Sequence, residues 1–170
     1  MEFIDLVKER YSCKNFANLA LDRDDLERVL EAGRLAPTAK NNQPQRIYVA
    51  ESKKALAIID EHTPCRYGAP TVLVVAFDKD NIFTYPGDKY DSGVEDATIV
   101  ATHMVLAAAY DGVDSCWINF FDPDKLAKDL DLPENEQIVC LIDLGYANGD
   151  GKPLANHTKR KDLSETFKFI

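Results

Sequence analysis

Hydrophobic residues recur along this chain at two spacings, and the changes between them mark out its elements. Phe3, Leu6 and Val7, with Arg10 one turn further on, fall at helical spacing and predict a short helix over residues 2–10. Asp22 is placed to cap a second helix with an apolar stripe of Leu26, Val29, Leu30 and, past Gly33, Leu35; Pro37 ends it. Ile47, Tyr48 and Val49 predict a strand over 46–51, after which Ser52 caps a helix over 53–60. Residues 71–77 form an unbroken, largely β-branched apolar run, the pattern of a buried strand. Residues 79–90 hold Pro86, Gly87 and scattered aromatics, and read as an irregular loop.

The longest helical segment covers 94–110. It is apolar nearly all round and rich in alanine (Ala97, Ala101, Ala107, Ala108, Ala109), which predicts burial on most sides and close approach by neighbours, another subunit included. His103 falls inside it and reads as a packed or capped core histidine. Asp111-Gly112 stops the helix, 115–119 reads as a short strand, and Asp122-Pro123 opens another helix. A last buried strand covers 137–145. The tail from Ala147 is polar but ends in Phe167, Phe169 and Ile170, and such an apolar terminus usually docks on the chain itself or on a partner. The order α-α-β-α-β-α-β-α-β plus a tail gives a layered α+β or α/β domain.

Composition narrows the function classes. No apolar run reaches the roughly 18 residues of a membrane span, and MEFIDLVKER lacks a secretory core, so a cytoplasmic protein is expected. The 20 basic and 29 acidic residues leave a net charge of −9. Nucleic-acid backbones and anionic membranes both demand a cationic face, so neither is an expected partner. Cys13, Cys65, Cys116 and Cys140 are widely spaced, with no CxxC, which argues against zinc. No GxGxxG and no GxxxxGK[ST] occurs.

Four segments could carry chemistry, and each has a plainer reading. Arg10, Tyr11, Ser12, Cys13 and Lys14 combine a planar donor fork, a point charge and a hydroxyl, the set that suits a phosphate monoester; equally, cations suit a helix C-terminus. Residues 36–45 set amides between two prolines, which suits the mixed edge of a heterocycle or a polar loop with Asx turns. His157, Thr158, Lys159, Arg160 and Lys161 invert the local charge, either for an anion or as a solvated tail. Cys116-Trp117 at a strand end offers a stacking surface or a core aromatic. Asp88, Asp91, Glu95 and Asp96 read as helix N-terminal carboxylates rather than as a metal site. His62, His103 and His157 show no carboxylate or serine partner at a telling spacing.

In this order the segments resemble the nitroreductase family, flavin-dependent NAD(P)H oxidoreductases, in its small single-domain form. Arg10, Ser12 and Lys14 resemble the family's R-x-S-x-[RK] after the first helix. Ala36, Pro37, Thr38, Ala39, Asn41, Gln43 and Pro44 resemble A-P-S-A-x-N-x-Q-P-W, with Gln45 in place of the tryptophan. The alanine-rich helix running into Ser115-Cys116-Trp117-Ile118 resembles the family's G-x-C-W-I stretch. Gly145-Tyr146, then Arg160, Lys161 and Leu163, resemble its G-Y…R-K-P-L close, with Asp162 for the proline. Residues 61–92 match no motif.

The resemblance implies one domain over 1–170, of α+β class: a three-layer α-β-α sandwich with a mostly antiparallel sheet and a long buried central helix. It also implies an intertwined homodimer with FMN at the subunit interface. By this likeness Arg10, Ser12 and Arg160 hold the phosphate, with Tyr11 and Lys161 beside them, and Lys14 reaches the phosphate or the ring's pyrimidine edge. Pro37, Thr38, Asn41 and Gln43 approach from the partner subunit, and the backbone of Cys116, Trp117 and Ile118 lines the flavin. NADH or NADPH would reduce flavin N5, and a small electron-poor acceptor such as a nitroaromatic or quinone would reoxidise it, in ping-pong order at one site. No catalytic side chain and no metal are required; Lys14 is the candidate for an electrostatic role. The same residues would equally serve a flavin-binding sensor or store without turnover. A thiol protein working through Cys116 or Cys13 is the other alternative.

Overall fold

The computed structural model describes all 170 residues. Six helices and four strands follow the expected order: α1 (Phe3–Glu9), α2 (Arg23–Arg34), β1 (Gln45–Ala50), α3 (Lys53–His62), β2 (Thr71–Asp78), α4 (Gly93–Tyr110), β3 (Asp114–Ile118), α5 (Pro123–Asp129), β4 (Glu136–Gly145) and a short α6 (Leu163–Thr166). The strands form one wholly antiparallel sheet in the order β1-β2-β4-β3. No helix is long and apolar enough to cross a membrane.

The central pair sets the layering. Residues 71–77 of β2 are all buried, so both sheet faces need a cover. On one face Leu73, Val75 and Phe77 meet Cys140, Ile142 and Leu144 under α2 and α4. On the other, Val72, Val74 and Ala76 join Ile138 and Leu141 under α3 and α5. Cys140 and Ile138 share parity yet serve opposite cores. The register shift between Val75 and Ala76 accounts for this, because one extra residue on β4 turns the strand over. The result is the three-layer sandwich, with α4 as its long central helix.

Three details differ from the expectations. The second helix ends at Arg34, so Leu35 is an exposed cap residue rather than the last member of the stripe. Helix α4 buries Ala97, Val100, Ala101, Met104, Val105 and Ala108, but Val94, Thr102 and Tyr110 lie open, and Ile99 and Leu106 are half covered. His103 is on that open side, not in the core; its Nδ1–H donates to the Ile99 carbonyl at 2.8 Å. At about 100° per residue, position 103 falls roughly 130° from the centre of the stripe made by Ala97, Val100, Ala101, Met104, Val105 and Ala108. The apolar tail also stays open: Phe167, Phe169 and Ile170 find no cover on their own chain.

Two positions carry most of the local constraint. Gly93 opens α4 directly over the Phe77 ring, and an added Cβ would sit inside that ring's van der Waals envelope. Asp143, near the C-terminal end of β4, is fully buried with no hydrogen-bond partner for either carboxylate oxygen. Burial pushes its pKa up to about 9, with Arg66 pulling the other way.

We expect Gly93→Ala to destabilise the fold by about 1–3 kcal/mol in denaturant unfolding, the cost of overpacking a rigid core. Asp143 holds its proton in the native state and loses it near pH 4 when unfolded. Stability is therefore fullest below that point and falls as pH rises towards 9, by up to roughly 1.4 kcal/mol per pH unit. Between pH 6 and 8 the Asp143→Asn protein should lack this slope, and it should be the more stable of the two at pH 8.

Candidate functional site

The first cationic segment is shaped by the end of α1. Arg10 caps the helix, its N–H bonded to the Leu6 carbonyl at 3.0 Å, and then turns extended. From there the chain runs beside β3, with Ser12 bridged parallel to Ser115 and the Cys13 N–H bonded to the Ser115 carbonyl at 2.9 Å. Extended backbone alternates its side chains. Cys13 therefore enters the core, while Arg10, Ser12 and Lys14 share the wall of a cleft of about 320 Å³.

Tyr11, Cys116 and Trp117 line the same cleft, and Leu154, Asn156 and His157 of the tail close one side of it. Beyond Arg10, Ser12 and Trp117 the wall continues over Val7, Thr102, Val105 and Leu106. The Trp117 indole N–H donates to Asn119 Oδ1 at 2.6 Å, which fixes the ring. Lys14 Nζ lies 5.7 Å from the centre of the Tyr67 ring.

No carboxylate lines this cleft, in a chain of charge −9. The pairing of the arginines sharpens the point. Of seven, Arg23, Arg28, Arg34, Arg46 and Arg66 each hold an acidic partner. The remaining two are Arg10 and Arg160. Arg10 donates to nothing through its side chain, although it is half-buried. A smaller cavity of about 190 Å³ on the far side of Arg10 includes Glu9 and Asp114, and so suits no anion.

The thiols here are quiet. Burial, with Asp143 behind it, pushes Cys116 up to about 12, and burial also raises Cys13. Both are thereby kept from the reactive thiolate form. Tyr11 is raised as well, by burial first and then by its bond to Asp114.

The other expected residues are less tightly gathered. Ile118 packs into the core beneath β3 and does not line the cleft. Arg160 and Lys161 are exposed on the tail outside the lining; Arg160 Nη1 donates to the carbonyls of His157 and Lys159 at 2.6 and 2.7 Å. Pro37, Thr38, Asn41 and Gln43 form a separate loop at the other end of α4. The Gln43 N–H donates to Thr38 Oγ1 at 3.0 Å, and the Ala39 N–H to buried Asp96 at 2.8 Å. Asp96 is thus a loop anchor rather than a helix-end carboxylate alone. Lys40, Asn41 and Gln43 take left-handed φ values of 52°, 55° and 52°, a strained set held by these bonds. Asp96 and Leu106 are about 15 Å apart along the helix axis, so one chain does not bring loop and cleft together.

Leu154 and Asn156 are cleft residues that the sequence did not single out. His157 belonged to the basic cluster, but no spacing rule ties it to α1. The His62 pairing also escaped it: Nε2 lies 2.8 Å from the Asp129 carboxylate, joining α3 to α5 outside the cleft.

Comparison with known proteins fits this geometry. The model of the Nitroreductase family matches residues 7–65 and 62–146. A nitroreductase family protein from Clostridium difficile 630, solved by crystallography, is 34% identical and superposes with a TM-score of 0.93, covering 99% of this chain and 98% of that one. An oxygen-insensitive NADPH nitroreductase of Helicobacter acinonychis is 27% identical over 178 residues, spanning 82% of this chain and 85% of its own. A protein from Desulfovibrio desulfuricans, crystallised in complex with FMN, shares the fold at a TM-score of 0.84 and 22% identity, over 100% and 97% of the two chains. With the family pattern matched across most of its length, and a close structural relative above 30% identity, the chain belongs to the Nitroreductase family.

Proposed function

We propose that this protein is an FMN-dependent oxidoreductase, a cytoplasmic homodimer that uses NADH or NADPH to reduce a small electron-poor acceptor such as a nitroaromatic or a quinone. The observation that carries this reading is the acid-free cleft with an unpaired arginine on its wall. A guanidinium left without a carboxylate in an acidic protein is poised for an external anion. A phosphate monoester fits the donors present: the Arg10 fork, the Ser12 hydroxyl and the Lys14 ammonium. Trp117, Cys116 and Leu154 offer the apolar walls that a planar ring needs.

When bound, FMN supplies hydride-accepting chemistry that no amino-acid side chain provides. The residues of the chain bind, orient and shield. Arg10 and Ser12, joined by Arg160 from the tail, would hold the phosphate. Lys14 would place a positive charge beside the ring system, where it favours any added negative charge. Cys116, Trp117 and Ile118 would contribute backbone along the strand end, and Tyr11 and Lys161 would flank the phosphate side. High thiol pKa values keep Cys13 and Cys116 out of the electron path, so the thiol alternative loses its footing.

A second copy of the chain completes the site in this reading. The loop of Pro37, Thr38, Asn41 and Gln43 lies too far along α4 to reach the cleft of its own chain. The open stripe of α4 continues into exposed Phe3, Ile4 and Val7 of α1, and the tail offers Phe167, Phe169 and Ile170. Two such apolar faces meeting across α4 would carry each loop to the other chain's cleft and cover the tails.

The purified protein should show flavin bands near about 370 and 450 nm, positions set by the cofactor itself, and heat should release FMN. It should also oxidise NADH or NADPH when a quinone or nitroaromatic is added; a loaded protein without turnover would point to the sensor reading. Arg10→Ala should weaken FMN binding by roughly ten- to hundredfold, the size of a lost charge-assisted contact, while riboflavin binding changes little. Equal losses for FMN and riboflavin would take Arg10 away from the phosphate.

A further inference from the structure

Beyond the Ala147 and Asn148 N–H groups, which bond to Asp114 and Asn15, His157 ties the far part of the tail to α1 beside the cleft. Its Nε2 lies 3.0 Å from the Lys8 carbonyl. A carbonyl only accepts, so Nε2 carries the hydrogen and donates. Lys8 lies in the last turn of α1, where the carbonyls have no partner within the helix. The imidazole thus satisfies a helix end from 149 positions away in sequence. Its ring also meets Tyr11 edge-on, with centres 6.5 Å apart.

The same residue holds Arg160. The His157 carbonyl accepts from Arg160 Nη1 at 2.6 Å, and the Lys159 carbonyl takes a second bond from that nitrogen at 2.7 Å. Arg160 Nε and Nη2 bond to nothing in the protein. These two nitrogens form the fork that grips an oxyanion two-pronged. Side chain to α1 and backbone to Arg160, His157 thereby links the two arginines that have no acidic partner.

We propose that His157 is a positioning residue, a latch that seats the C-terminal basic segment on the end of α1 so that Arg160 and Arg10 face one phosphate group. The proposal rests on the phosphate-binding reading of the cleft. Its essential atom is the Nε2 donor. A glutamine side chain reaches as far and ends in a donor at the corresponding place, whereas alanine has none.

The test is the affinity of the apo protein for FMN and for riboflavin, in His157→Ala, His157→Gln, Arg160→Ala and the His157→Ala/Arg160→Ala double variant. The rate of tryptic cleavage at Lys159, Arg160 and Lys161 is followed in parallel where those sites remain. We expect His157→Ala to bind FMN roughly tenfold more weakly, as for one lost charge-assisted contact, with riboflavin unaffected and tail cleavage accelerated. His157→Gln should restore both. Arg160→Ala should lose as much as His157→Ala, and the double variant no more than either, because both changes remove one contact. Wild-type FMN affinity in His157→Ala, or additive losses in the double variant, would overturn the latch and leave the cofactor reading standing. Failure of the unaltered protein to bind FMN at all would overturn both.

Discussion

Two strands buried on both faces govern this molecule. β2 and β4 pair along their length at the centre of the sheet, and from Cys140 on β4 is buried on both faces, as β2 is over residues 71–77. Each face must therefore be covered, which draws α2 and α4 to one side and α3 and α5 to the other. Once α4 lies across its core, its N-terminal end meets the 37–43 loop and its far half meets the cleft. The helix that closes the hydrophobic core thus also sets the distance between the 37–43 loop and the cleft.

Against that apolar framework, the polar exceptions are informative. Arg10 lacks a carboxylate in a chain with an excess of them, and Asp143 sits dry with neither oxygen bonded. A half-buried cation without a partner, like a buried acid without one, works against stability. The first is reasonable as the complement of an anionic ligand. For Asp143 the consequence is a stability that falls as pH rises.

Much of the fold was legible in the sequence because its signals are local. The unbroken run of 71–77 and the caps at Asp22, Ser52 and Asp122 each produced the element they announced. Errors arose where the answer depends on what lies across space. His103 looked interior because its helix is apolar nearly all round, and hydrophobicity does not say which side of such a helix meets the sheet. The bulge in β4 left no mark in the order of Val139 and Cys140, since both strand faces are apolar there. For the site, Arg10, Ser12 and Lys14 were readable because extended spacing and chemistry coincide within five residues. His157 was not, because its partner is a backbone carbonyl in α1, and carbonyls carry no sequence signature.

The separation of the two unpaired arginines also bears on how the protein is made. Arg10 leaves the ribosome 150 residues ahead of Arg160. At about 5–20 residues per second, that gap is on the order of 8–30 s of synthesis. Most of that interval passes before β4 is made, so the central strand pair is completed only shortly ahead of the basic tail. A cleft shared between the two ends of the chain cannot be completed until the second end has emerged. A chain broken off after β4 would keep its core but lack Leu154, Asn156 and His157 of the cleft and Arg160 beside it.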